Sequence, residues 1–299
     1  MDTVALEKFR YNPNKYNLPF LVLGTAAFGS RVKDYYTANS DMDLLIVASG
    51  ISLKRHRRGE EISKLKQVLP PLPLDILLLT KEEVLSNFRN HNPLFLDIAV
   101  EGIVLYDTDS FLENIIRETV NYIEEKNIRK IEGGWAFQVN TGVPTFLSKV
   151  SNEDFSKAML KDGERDFEAG KKLKDGTYFE KSVYHFQQTV EKFIKGIMIC
   201  MGIFKKTHFV GEELRKLAIN GNIPEHWKER LLVAAQISDE IEPEVTLSRY
   251  PNITDDTLWL PFEEYEETDA LKAMLKAEEV HKTAEEFIKE WFERKPNDK

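Results

Sequence analysis

The chain has 299 residues, of which 42% are hydrophobic and 30% charged, a composition that predicts a globular protein with room for two ordinary domains. Its net charge of −9 lies mostly in residues 151–299, where 31 Asp and Glu outnumber 23 Lys and Arg, so a general nucleic-acid-binding role is disfavoured. The only cysteine, Cys200, excludes an intrachain disulfide and a cysteine-rich zinc site.

No apolar segment is long enough to span a bilayer, and the first residues lack a basic region followed by an apolar core. We therefore expect a cytoplasmic protein with no membrane partner.

Residues 20–47 contain two predicted strands, the first ending in Gly29-Ser30 and the second opening with Asp41-Met42-Asp43. Because side chains alternate between the faces of a strand, Asp41 and Asp43 share one face. Aspartate is a poor strand former, so the presence of two carboxylates at the start of an apolar strand calls for an explanation. A divalent cation supplies one, although acids near strand ends also occur as ordinary turn residues.

Gly29-Ser30 adds a potential phosphate site to these acids. Glycine lets backbone approach a ligand closely, and a helix that began after Ser30 would turn its unpaired amides toward an anion. A third acid, Asp75, lies in the apolar run 72–79, which is typical of a neighbouring strand. Mg²⁺ binds carboxylates together with substrate phosphates, so the pattern indicates phosphoryl or nucleotidyl transfer.

Gly29-Ser30, ten residues and then Asp41-x-Asp43, with Asp75 downstream, resembles the signature of the DNA polymerase β-type nucleotidyltransferases, in particular their minimal branch. The resemblance covers residues 15–110. It implies an enzyme that uses Mg²⁺ and a nucleoside triphosphate, most simply ATP, and transfers a nucleoside monophosphate to an acceptor hydroxyl with release of pyrophosphate.

The same resemblance assigns roles to individual residues. Asp41, Asp43 and Asp75 would bind the metal and carry catalysis, with Asp75 also drawing the acceptor's proton. Gly29, Ser30 and Arg31 would bind the nucleotide. Arg31 and Lys33 are close enough in sequence to add positive charge near the phosphates, although exposed basic side chains are an equal alternative.

Helices and strands alternate through the rest of the first 130 residues. Helical spacing is expected at 57–69, after a basic cluster at 54–58 that could meet phosphates or simply be a solvated helix start. Thr80 and Glu83 have the spacing of a capping box, and 93–106 reads as a helix followed by a strand that closes the sheet. Asp97 in that helix is expected to be a face residue without a site role. An amphipathic helix at 111–126 is expected to leave the first domain.

The second half shows helical periodicity from residue 153 onward, with helices expected at 178–201, 212–219, 224–241 and 263–292. The stretches Lys181–Lys195 and Ser248-Arg-Tyr-Pro251 resemble the HEPN family of helical domains, which often accompany minimal nucleotidyltransferases. Active HEPN ribonucleases carry Arg-x-x-x-x-His, whereas counting from Arg249 reaches Thr254. Threonine does not titrate near neutral pH, so this half is expected to lack ribonuclease activity. His185, His208 and His226 are expected to be packing or surface residues.

We therefore predict an α+β protein: a nucleotidyltransferase domain with a mixed sheet at 1–110, a connecting helix and interdomain segment at 111–152, and a HEPN-like helical bundle at 153–295. The sequence does not distinguish among three kinds of acceptor: a small molecule, a protein side chain and an RNA end. A non-catalytic, antitoxin-like binding module is the alternative function, because minimal nucleotidyltransferase and HEPN pairs typically form toxin and antitoxin. A homodimer is possible through an exposed helical stripe.

Overall fold

A computed structural model describes residues 7, 9–10, 12–33, 37, 40–146, 149–221, 223–254 and 257–293. The chain divides into two compact units, Met1–Ile128 and Arg129–Lys299. Within the described ranges, no helix combines the length and hydrophobicity needed to cross a membrane.

A four-stranded mixed sheet forms the centre of the first unit. Its strands are β1 (Leu21–Phe28), β2 (Met42–Ser49), β3 (Leu74–Leu79) and β4 (Ile103–Asp107), in the spatial order β3-β2-β1-β4. β1 runs antiparallel to both β2 and β4, whereas β2 and β3 are parallel. The predicted mixed sheet is therefore confirmed, with β4 at one edge.

Helices cover both faces of this sheet. They are α1 (Gly59–Val68), α2 (Lys81–Arg89), α3 (Pro93–Glu101) and α4 (Phe111–Glu125). Leu44 and Ile46 of β2 pack with Leu65 of α1 on one face. Leu45 and Val47 pack on the other face with residues of α2, α3 and α4. The strict alternation along β2 places Asp43 on the same face as Leu45 and Val47.

Arg58, the last residue of the predicted basic cluster, points into the protein. It is 1% exposed, and its guanidinium donates to the Ser52 and Leu78 carbonyls at 2.7 and 2.8 Å and to Glu83 Oε2 at 2.7 Å. Glu83 also completes the predicted capping box with Thr80. The other residues of the cluster are exposed. The solvated-helix-start interpretation is therefore wrong for Arg58, which anchors the start of α1 to the end of β3.

Helix α4 was expected to leave the first domain, but the structure places it within the first unit. Leu112 of α4 is buried, and a Cβ added at Gly24 of β1 would lie 2.7 Å from its Cδ1 atom. The helix therefore packs directly on the central strand and belongs to the first unit. The amphipathic pattern correctly predicts the helix, but it does not reveal which sheet the apolar face covers.

The second unit is mainly helical, as predicted. Its helices are α5 (Asn152–Asp175), α6 (Phe179–Cys200), α7 (Gly211–Asn220), α8 (Glu225–Ile241), α9 (Glu244–Leu247), α10 (Pro261–Glu264) and α11 (Glu267–Glu293). α5 and α6 pack closely because Gly163 and Gly170 face Phe193 and Phe186, where an added Cβ would approach the rings to 2.6 and 2.7 Å. The helix expected at 263–292 is interrupted between α10 and α11, where Tyr265 adopts an extended backbone conformation.

Two small sheets accompany the helices. β5 (Arg129–Ile131), β6 (Gly134–Ala136) and β7 (Ile203–Lys205) form the first, with β6 in the middle and Trp135 only 1% exposed. β8 (Asn252–Thr254) and β9 (Thr257–Trp259) form the second, an antiparallel pair. Part of the segment predicted to connect the domains is thus strand structure paired with residues that follow α6.

Candidate functional site

The turn after β1 brings Gly29 against the carboxylate of Asp43. Gly29 has φ 76° and ψ −153°, a backbone conformation that is essentially restricted to glycine. A Cβ at this position would lie 1.9 Å from Asp43 Oδ2. The glycine is therefore required by close packing as well as by its dihedral angles, and the carboxylate lies directly on the backbone of the turn.

Ser30 begins a single 3-10 turn, Ser30–Val32, in place of the helix considered from sequence. Such a turn has few aligned peptide dipoles, so it offers an anion nearby N–H groups and the Ser30 hydroxyl without the field of a long helix.

Asp43 and Asp75 are direct neighbours across the parallel strands β2 and β3. Neighbouring strands lie roughly 4.8 Å apart, and paired residues share a face of the sheet. Asp43 is half-buried and Asp75 is exposed. On its other side Asp43 pairs with Phe28, the last residue of β1. The glycine turn and these two carboxylates therefore form a continuous row across three strands.

Asp41 precedes β2 and is exposed. The backbone on each side of it is held: the Ser40 carbonyl accepts a 2.7 Å hydrogen bond from Arg31 Nε, and the Met42 amide donates to the Pro73 carbonyl at 2.8 Å. Because Asp41 lies outside the strand, its position on the same face as Asp43 stays a prediction.

Asp41, Asp43 and Asp75 offer carboxylate oxygens, the kind of ligand that Mg²⁺ prefers. Among the residues that the structure describes, no three His, Cys, Asp or Glu side chains come close enough to form a metal-binding group. Asp43 and Asp75 nevertheless lie in register, and Mg²⁺ is normally held by one or two carboxylates, water and substrate phosphates. Because Gly29 has no side chain, the Asp43 carboxylate can lie against the backbone of the turn, which suits a site shared by a metal ion and a phosphate. The three-acid metal site as a whole stays a prediction.

Neither basic residue near the turn is a freely exposed side chain. Arg31 is only 4% exposed and is directed toward Ser40. Lys33 Nζ lies 2.6 Å from Glu101 Oε2 at the end of α3. The sequence predicts positive charge near the Gly29-Ser30 turn, but it carries no local signal for the direction in which these two side chains point. Asp97 is half-buried on the same helix.

In the second unit, the three histidines considered from sequence each pair with a carboxylate. Their Nδ1 or Nε2 atoms lie 2.9 to 3.0 Å from acid oxygens, in the pairs His185–Asp166, His208–Glu191 and His226–Glu290. Burial opposes ionisation of Asp166, but hydrogen bonds from His185 and Lys192 outweigh it and lower the pKa of that carboxyl.

The position of the HEPN ribonuclease motif is described only in part. The Arg249 guanidinium packs over the rings of Tyr184 and Tyr250, 5.1 and 4.8 Å from their centroids. Thr254 ends β8, but its side chain lies outside the described structure.

Comparison with known proteins agrees with this architecture. A nucleotidyltransferase domain family matches residues 15–106, and the HEPN domain family matches residues 156–287. A Methanocaldococcus jannaschii protein named "Putative toxin MJ1304" is 34% identical over 141 residues, which are 47% of this chain and 93% of that protein.

Two solved structures also show similarity. An archaeal HEPN homologue, ST0689, is 26% identical, with 44% of this chain and 97% of that chain covered and a TM-score of 0.34. A nucleotidyltransferase-like protein from Exiguobacterium sibiricum is 13% identical, with 79% and 77% covered and a TM-score of 0.33.

The chain belongs to the proteins that join a nucleotidyltransferase domain to a HEPN domain. The resemblances drawn from Gly29-Ser30 and the aspartates, and from 181–195 and 248–251, are thereby confirmed at the level of the domain families. The α+β fold class is confirmed as well.

Proposed function

We propose that the protein is a magnesium-dependent nucleotidyltransferase that moves a nucleoside monophosphate from a nucleoside triphosphate, most simply ATP, to an acceptor hydroxyl. The observation that carries this proposal is the row formed by the Gly29 turn, Asp43 and Asp75 across three neighbouring strands. A nucleotidyltransferase domain implies the triphosphate substrate. We place the reaction in the cytoplasm, where such substrates are available.

The residues of the row and Asp41 divide between phosphate binding and metal binding. Gly29 and Ser30 hold the triphosphate with backbone N–H groups and the Ser30 hydroxyl. Asp41, Asp43 and Asp75 would hold Mg²⁺, which when bound would supply charge neutralisation for the phosphates. Asp75, the most open of the strand-borne acids, takes the proton from the acceptor hydroxyl. The acceptor oxygen forms a bond to the α-phosphorus as the bond to the leaving pyrophosphate breaks.

The decisive experiment incubates the purified chain and a cell extract with α-labelled nucleoside triphosphates and Mg²⁺. Label should move to one acceptor class: a small molecule, a protein side chain or an RNA end. Asp43→Asn and Asp75→Asn should each lower the transfer rate by at least about 100-fold, because removal of a preorganised electrostatic group costs that much. Glu60→Gln, an exposed acid on α1, is the matched control.

The second candidate is a regulatory, antitoxin-like binding module, and Thr254 in place of the motif histidine favours it. This reading expects no label transfer and no metal-dependent nucleotide binding in the parent protein. The word toxin in the name of MJ1304 describes that relative and is not carried over to this chain. Sedimentation velocity would test the proposed homodimer in either case.

A further inference from the structure

Arg31 follows the Gly29-Ser30 turn directly, yet it lies inside the first unit. With 4% of its surface exposed, its guanidinium is poorly placed to reach a phosphate from the solvent side. Its Nε donates a 2.7 Å hydrogen bond to the carbonyl of Ser40, nine residues away. Burial of a guanidinium is costly unless its donors are used, so this contact holds two segments together.

The segment that Arg31 holds leads straight into Asp41. Ser40 forms two hydrogen bonds with Thr37: its amide donates to the Thr37 carbonyl, and its hydroxyl accepts from the Thr37 amide, each at 3.0 Å. On the far side of Asp41, the Met42 amide is fixed to the Pro73 carbonyl. Asp41 itself precedes the strand, so its direction depends on these two flanking contacts.

We propose that Arg31 is a positioning residue that fixes Asp41 relative to Asp43 and Asp75, and thereby sets the affinity of the site for Mg²⁺ when nucleotide binds. This role rests on the proposed function. Three carboxylates around one site repel each other, so a backbone anchor that keeps Asp41 in place lowers the cost of assembling them around a cation. Arg31 thus mechanically links the phosphate-binding turn to the metal-binding acid.

The test compares Arg31→Met with Lys33→Met. Both remove one positive charge close to the same turn, but the Lys33 change breaks the pair with Glu101 and leaves the contact between Arg31 and Ser40 in place. Binding of a fluorescent ATP analogue is measured without metal and across a Mg²⁺ titration. For Arg31→Met we expect half-maximal binding to need at least about tenfold more Mg²⁺, with metal-free binding within about twofold of the parent. Lys33→Met should leave the Mg²⁺ requirement within about twofold.

Hydrogen exchange provides a readout that does not depend on nucleotide. Arg31→Met should raise exchange at the amides of Ser40 and Asp41 in the free protein, whereas Lys33→Met should not. If Arg31→Met does not fold, Arg31→Lys takes its place, since lysine keeps the charge but loses the planar Nε donor.

Three results overturn the positioning role. One is equal loss of metal-free and metal-dependent binding in Arg31→Met, which would make it a direct phosphate ligand. Another is unchanged Mg²⁺ dependence together with unchanged exchange. The third is a parent protein with no metal-stimulated nucleotide binding, which refutes the proposed function itself and is recognised before any variant is compared.

Discussion

Gly29→Ala should damage the site through local geometry alone. Its dihedral angles, φ 76° and ψ −153°, lie where a non-glycine residue costs about 1–3 kcal/mol. The new Cβ would lie 1.9 Å from Asp43 Oδ2, so the carboxylate must leave its rotamer at a further cost of about 0.5–1.5 kcal/mol. We expect the first unit to lose about 2–4 kcal/mol of unfolding free energy. Magnesium-dependent ATP binding should weaken by at least about tenfold, because Asp43 is displaced.

Gly50→Ala is the matched control for this substitution. Gly50 lies in the same unit with φ 80°, but an added Cβ would meet only Phe20 atoms, at 3.8 Å. It should cost about 1–2 kcal/mol from the backbone alone and leave ATP binding intact.

Urea denaturation can separate the two units. The four tryptophans all lie in the second unit, so fluorescence follows that unit while far-ultraviolet circular dichroism follows both. A Gly29→Ala protein that binds ATP and Mg²⁺ like the parent, and is no less stable than Gly50→Ala, would refute the reasoning.

Three further predictions concern residues outside the site. Burial disfavours ionisation of Glu83, but hydrogen bonds, first from Arg58, outweigh it and lower the pKa of Glu83 from 4.5 to about 2. The stabilising effect of the Glu83 carboxylate is therefore present above pH 4.5 and is lost toward pH 2. Glu83→Gln should flatten that part of the pH-stability profile in acid titrations followed by circular dichroism. Burial raises the pKa of the Cys200 thiol to about 12, so a thiol reagent at pH 8 should label one cysteine only after denaturation, and rapid labelling of native protein would contradict its burial. Gly163→Ala should destabilise the second unit by about 1–3 kcal/mol despite better helix propensity, because its Cβ would lie 2.6 Å from the Phe193 ring; unchanged urea unfolding by tryptophan fluorescence would show that the ring can move.

Local patterns were sufficient to predict the centre of the first unit. The run from Leu44 to Val47 reads as a buried strand, and the structure confirms it, with Leu44 and Ile46 on one face and Leu45 and Val47 on the other. A second apolar run containing Asp75 indicates the neighbouring strand, and the structure pairs Asp43 with Asp75 directly. The capping box at Thr80 follows from a three-residue spacing and is likewise confirmed.

Features set by contacts distant in sequence were not predictable in this way. Whether Arg31 points toward solvent or toward Ser40 depends on packing around the turn, and composition does not encode it. Arg58 resembles its exposed neighbours in sequence, yet it satisfies carbonyls and a carboxylate contributed by other segments. The helix break at Tyr265 carries no glycine or proline at the break itself.

The pairing of β6 with β7 bears on how the helical half can be separated from the rest of the chain. A fragment that starts at residue 153, where helical periodicity begins, would omit β5 and β6 and leave Ile203–Lys205 without its neighbouring strand. Phe204 would then lose its edge-on contact with Phe137. An excised helical half should therefore begin at or before Arg129, so that it keeps β5 and β6 paired with β7, the strand that follows α6.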